Sequence, residues 1–288
     1  MNTSCDIVRN LNMPTAAPKQ LFTELHNGIT MPLLGMGLYE LNGSKAEKAI
    51  LKALEIGYRL FDSAAMYNNE KELGNAIRKS TVLRCDLFVT TKLNNPDHGY
   101  EATLKAFDKS LKQLKIDYID CYLIHWPMKG KRKETWKALE YLYKQKLVRC
   151  IGVANYLEPF LDELYGYAQI LPMVNQVEFS PYLYNKTLME KCKAKNIQLQ
   201  SYTPLVKGKK MMDPKLLDIA ANYIKTPAQV LLRWQLQHGL SAIPKSGHPQ
   251  RLEENFQVFD FEITREDMLK LDSLNEDLRL CPNPLEML

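Results

Sequence analysis

No stretch of the 288-residue chain approaches the roughly 18 consecutive apolar residues that a membrane-crossing helix requires. The five histidines never fall at H-x-H or H-x-x-x-H spacing, and no acidic cluster accompanies them. That disfavours a metal-dependent hydrolase, and no metal is expected. The six cysteines contain no C-x-x-C pair, and several lie in apolar, strand-like runs where a thiol behaves as a small hydrophobe. Free thiols in a reducing, cytoplasmic compartment are the expectation. Basic residues are scattered apart from residues 129–133 and 207–210, so the net charge of +5 does not form a nucleic-acid stripe. It suits a small polyanionic ligand. Gly35-Met36-Gly37 begins a dinucleotide fingerprint, but Glu40 stands where the third glycine belongs. No Pro/Gly/Ser-rich linker divides the chain, and no exposed apolar stripe asks for a partner subunit. Residues 1–18 lack the apolar core of a signal peptide. The expectation is a disordered leader over 1–18 and a single monomeric domain over 19–288.

What the sequence does contain is an alternation. Residues 21–33 form a hairpin pattern around His26-Asn27-Gly28. Strand-like runs follow at 33–37, 59–62, 87–91, 119–124, 148–153, 173–178, 198–201 and 240–243. Helix-period stretches separate them, two occur between the last two strands (214–223 and 226–237), and others fill 249–256 and 265–274. Eight strands alternating with helices in one domain predict an α/β fold, a (β/α)8 TIM barrel with an N-terminal β-hairpin and a C-terminal extra helix.

Three consecutive strands deliver polar groups to the same end, where such barrels place chemistry. The second ends at Asp62, with Tyr67 in the loop beyond; the third ends at Lys92; the fourth ends at His125. Taken singly, Asp62 could cap the next helix, Tyr67 could be a loop aromatic, Lys92 a surface cation and His125 a core histidine. Their coincidence on neighbouring strands favours a site. A phenol has a pKa near about 10 and is a slow acid at neutral pH. An adjacent ammonium should lower that value, Asp62 should keep Lys92 charged, and a neutral His125 can direct a carbonyl oxygen. The set suits proton donation to a carbonyl and has no natural role in a phosphosugar isomerase.

These residues resemble the aldo-keto reductase family from about residue 20 to the C-terminus. The likeness rests on Gly57-Tyr58-Arg59 through Asp62, Tyr67-x-Asn69-Glu70, Val89-Thr90-Thr91-Lys92, and the run from Asp117 through His125 to Trp126-Pro127. The resemblance implies reduction of aldehydes or ketones by NADPH, with Tyr67 as general acid. A non-catalytic NADPH-binding sensor or scaffold of the same fold is the alternative. It also implies a nicotinamide pocket containing Asn155, Gln176 and Tyr202, continuing through Thr203 and Leu205. A phosphate and adenine clamp would hold Lys245, Ser246, Arg251, Glu254 and Asn255, at a helix start suited to an anion. Tyr39 and Trp126 would wall the substrate pocket.

The chain departs from the family pattern at Ala154 for serine, Tyr39 for tryptophan, Ser180 for histidine, and His248 at the clamp. Short loops after His125 and at 207–213, with a short tail, resemble the microbial and protist branch with open pockets.

Overall fold

Fold construction begins with helices that have one apolar face. In α1 (Gly43–Ile56) the buried residues are Ala46, Ala49, Ile50, Ala53 and Leu54, at helical spacing. Helix α8 (Pro227–Gln237) starts with a reciprocal capping box between Thr226 and Gln229, and Pro227 occupies its first turn. The structure, a computed structural model, describes residues 20–287. The expected leader therefore lies outside the described residues.

Strands β1 (Phe22–Glu24) and β2 (Thr30–Pro32) form the antiparallel hairpin. Gly28, with φ of 80°, supplies the left-handed turn residue. Strands β3 (Met36–Gly37), β4 (Leu60–Asp62), β5 (Phe88–Leu93), β6 (Ile119–Ile124), β7 (Val148–Ala154), β8 (Val174–Glu178), β9 (Gln198–Tyr202) and β10 (Ser241–Ala242) follow in spatial as well as chain order, all parallel. The sheet curls shut where Ala242 N donates to Leu33 O (2.7 Å) and Gly35 N donates to Ala242 O (2.9 Å). The result is the expected (β/α)8 barrel. Its first and last strands are shorter than expected, because the closing seam is made largely of isolated bridges such as Leu34 with Ala242.

Around the barrel run α2 (Glu70–Lys79), α3 (Tyr100–Leu114), α4 (Arg132–Lys144), α5 (Glu158–Tyr165), α6 (Lys186–Ala194), α7 (Pro214–Asn222) and α8, then the additional α9 (Pro249–Phe256) and α10 (Arg265–Asp272). Cys121, Cys150, Cys192 and Cys281 are free thiols, the first three buried.

The amino end of the barrel is closed by charge. The buried Asp120 carboxylate accepts from Val89 N (3.0 Å), Arg149 (2.8 Å) and Arg84 (2.6 Å), so its oxygens are satisfied without water. Nearby, Gly74 lets α2 approach α3: a Cβ there would lie 1.9 Å from Leu114 O, a backbone atom. Gly74→Ala should therefore destabilise the fold by about 1–3 kcal/mol, read as a lower urea midpoint. An unchanged midpoint would mean that the two helices separate without cost.

Candidate active site

Strand register explains how three distant side chains meet. Asp62 of β4 lies across from Thr90 of β5, and Lys92 lies two residues further along the same face. Lys92 lies across from Leu123 of β6, and His125 again follows two residues later. Each step of two keeps the side chain on the inner face while the stagger of the barrel advances. Lys92 is the penultimate residue of β5, within one residue of the strand end at which the sequence pattern placed it.

Lys92 and Asp62 form a fully buried ion pair. Lys92 Nζ also donates to Ser63 O (2.9 Å) and to the Tyr67 hydroxyl (3.4 Å), using its three donors. Asp62 Oδ2 accepts from Gln176 Nε2 at 2.7 Å. The Tyr67 ring stands edge-on to His125, with centroids 5.5 Å apart, and edge-on to Tyr39 at 5.2 Å. Trp126 stacks beside His125 at 6.4 Å. The structure thus brings together all six residues expected at the carbonyl end.

Burial sets the electrostatics. Burial and then the Lys92 charge hold His125 well below the ordinary imidazole value, so it is neutral at neutral pH. For Lys92, burial works against the charge, but Asp62 and Tyr67 outweigh it and the ammonium is held above its usual range. Burial also pushes the Asp62 carboxyl up, while Lys92 and Gln176 pull it back. The phenol differs from expectation. Burial raises Tyr67 above its ordinary value, and the pull of Lys92 does not overcome it. In this state Tyr67 keeps its proton.

The expected nicotinamide residues form two connected groups. Asn155, in a left-handed conformation (φ 65°), donates to His125 O (2.9 Å) and accepts from the Tyr202 hydroxyl (2.7 Å). Gln176 uses both amide hydrogens inside the barrel, on Asp62 and on Gln200 Oε1 (2.7 Å), which leaves its carbonyl oxygen as the group able to meet a ligand. Thr203 and Leu205 lie in the loop after β9, where Thr203, Val206 and Lys207 all have φ near 50°. That conformation is rare for β-branched residues and concentrates strain at the barrel mouth.

At α9, Lys245 and Arg251 are exposed near the helix N-terminus, and neither has an acidic partner among the described residues. Ser246 Oγ accepts from His248 N (3.1 Å), which caps the turn. Two unpaired cations beside unsatisfied helix N–H groups fit a phosphate. Asn255 is buried, and Glu254 Oε1 accepts from Thr226 Oγ1 at 2.8 Å, so one of its two oxygens is engaged at the N-cap of α8.

One loop-tying group escaped the reading of the sequence. Asn69 donates to Leu38 O and Leu41 O (2.7 Å each) and accepts from Ser63 Oγ (2.7 Å), tying the Tyr39 loop to the Tyr67 loop. It lay within a motif already singled out, but a loop amide carries no sign of its partners. The sequence reading also left out Glu178, the last residue of β8, whose carboxylate accepts from Leu280 N (2.7 Å) and Cys281 N (3.1 Å).

A sequence model described as Aldo/keto reductase family matches residues 33–276. The chain belongs to the aldo/keto reductase family. It is 49% identical over 277 residues to "Glyoxal reductase" of Bacillus subtilis, covering 96% of this chain and all of that protein. It is 47% identical over 264 residues to "9,11-endoperoxide prostaglandin H2 reductase" of Trypanosoma cruzi, covering 90% of this chain and 93% of that one. The crystal structure of an aldo-keto reductase enzyme from a Medee basin deep-sea metagenome library superposes with a TM-score of 0.88 at 43% identity, covering 90% of this chain and 97% of the other. An aldo-keto reductase complexed with NADPH gives 0.87 at 29% identity, covering 92% and 90%.

The buried pair makes a direct prediction. Asp62→Asn leaves the Lys92 charge without its counter-ion and should cost about 3–5 kcal/mol of stability in urea unfolding. No loss would mean that Lys92 gives up its proton on folding.

Proposed function

We propose that this aldo/keto reductase reduces aldehydes, and more slowly ketones, to alcohols with NADPH, Tyr67 being the general acid. The observation that carries this reading is the contact of Lys92 with Asp62, Ser63 O and the Tyr67 hydroxyl, beside a neutral His125. NADPH, when bound, supplies the hydride. The residues that would hold it are Asn155, Gln176 through its free oxygen, Tyr202, the Thr203–Leu205 backbone, Lys245, Ser246, Arg251 and Asn255. A flat phenol face at Tyr202 suits a heteroaromatic ring.

The protein's own part is proton transfer and orientation. Tyr67 holds a proton at the buried mouth, and Lys92 stabilises the phenolate left when that proton passes to the carbonyl oxygen. Asp62 keeps Lys92 charged. Neutral His125 can donate one hydrogen bond to the same oxygen without competing as an acid. Asn155 fixes the His125 backbone, and so its direction. Tyr39 and Trp126 supply apolar walls, and the exposed Tyr39 side suits varied aldehydes. Every group named comes from one chain, so a monomer suffices. The protein is read as a cytoplasmic one acting on small molecules; among the described residues no helix is long and apolar enough to cross a membrane.

The test is NADPH consumption with a panel of aldehydes, wild type beside Tyr67→Phe. The variant should lose at least about 10²-fold in kcat while NADPH affinity stays unchanged. If both proteins bind NADPH and neither consumes it, the reductase assignment fails. Lys245→Ala and Arg251→Ala should weaken NADPH far more than NADH. Equal losses for both cofactors would remove the 2′-phosphate assignment.

The pH profile follows from the shifts. His125, held low, stays neutral as pH falls through the ordinary imidazole range, so no acidic limb should appear between about pH 6 and 7. Tyr67, held high, keeps its proton until above about pH 10, so kcat/KM should stay flat through neutrality and fall only in strong alkali. An alkaline limb near pH 8 would show that Lys92 dominates the phenol after all.

A further inference from the structure

The run Asn175-Gln176-Val177-Glu178 ends on an acid that the reductase chemistry does not use. Glu178 closes β8, lies across from Tyr202 in the β9 register, and is only 6% exposed. A buried carboxylate at a barrel mouth needs hydrogen-bond donors, because its charge is otherwise costly to hide. It finds them in the C-terminal tail. Oε1 accepts from Leu280 N (2.7 Å) and Oε2 from Cys281 N (3.1 Å), with the Arg279 guanidinium 3.8 Å from Oε2. Two adjacent backbone donors meet the two oxygens of one carboxylate. An amide would offer one acceptor and set its NH2 against the other N–H.

The tail continues from this attachment along the mouth. Lys207 Nζ donates to Leu280 O (3.1 Å), and Cys281 Sγ lies 4.0 Å from Thr203 Oγ1. Upstream, Leu278 N donates to Tyr182 O (2.9 Å); downstream, Arg132 donates to Met287 O (3.3 Å). The Glu178 contact is made beside Tyr202, and in it a single side chain holds two successive backbone N–H groups of the tail.

We propose that Glu178 is a positioning residue that clamps residues 280–281 against the rim next to Tyr202, making the tail a wall of the carbonyl pocket. The word pocket rests on the reductase reading; the clamp does not. Glu178→Gln removes one acceptor and should free the tail while leaving Asp62, Tyr67, Lys92 and His125 untouched. Lys207→Met breaks the second attachment from an exposed position and guards against misfolding of the first variant.

The experiment combines hydrogen exchange of the intact protein with steady-state kinetics on a small and an aromatic aldehyde. Both variants should show faster exchange at residues 278–287, more in Glu178→Gln. KM for the aromatic aldehyde should rise about tenfold in Glu178→Gln, with kcat for the small aldehyde and NADPH affinity within about twofold of wild type. Unchanged exchange in Glu178→Gln overturns the clamp. Faster exchange with KM unchanged for both aldehydes overturns the wall. A wild type that reduces neither aldehyde defeats the reductase reading instead, and exchange alone then decides the clamp.

Discussion

A lysine and an aspartate buried together at the end of a barrel are the constraint on which the site depends. Neither charge has access to water, so each must be matched by geometry. Lys92 has three donors and finds Asp62, Ser63 O and Tyr67; Asp62 receives Lys92 and Gln176. Such a pair is weak evidence for stability, since desolvation consumes much of the attraction. Its value lies in fixing positions. Moving any one of β4, β5 or β8 would leave a buried charge or amide unpaired.

From that pair, order spreads by further amides. Gln176 leads to Gln200, and Gln200 Nε2 donates to Ser241 Oγ at 3.0 Å, so a chain of side chains crosses from β4 to β10 through the barrel interior. On the other side Tyr202 holds Asn155, and Asn155 holds the His125 backbone. Asn69 fastens the two loops that carry Tyr39 and Tyr67. The proposed acid is therefore reached from three directions by groups that do no chemistry themselves. Polar networks of this kind rigidify when every member is satisfied.

Much of this was legible in the sequence, for a physical reason. Strand periodicity fixes which residues share a face, so Asp62, Lys92 and His125 could be placed at one end before any coordinates. Long-range partners are another matter. Nothing in the local pattern says that Glu254 would turn to Thr226, that both hydrogens of Gln176 would be used inside the barrel, or that Glu178 would face the tail. Each depends on pairings between residues far apart in the chain. The Tyr67 phenol shows a different limit. The neighbouring ammonium could be read from spacing, whereas the opposing burial depends on how the loops close, and burial is the larger effect.

The two ends of the barrel separate these cases. At the amino end, Asp120 meets Arg84, Arg149 and a backbone N–H, and the local rules of charge pairing are obeyed. At the carboxyl end they are broken repeatedly. His125 Nδ1 and both ring nitrogens of His98 are buried without a hydrogen-bond partner, and burial pushes His98 down to about 4. Asn155, Thr203, Val206 and Lys207 occupy left-handed conformations, two of them β-branched. Left-handed residues also occur away from this rim, at helix ends such as Lys115, Lys146 and Ile224. What marks the rim is the coincidence of strained Thr203 and Val206 with unpartnered imidazole nitrogens on the end that carries Tyr67 and Tyr202, the pattern expected where a ligand completes what the protein leaves unsatisfied.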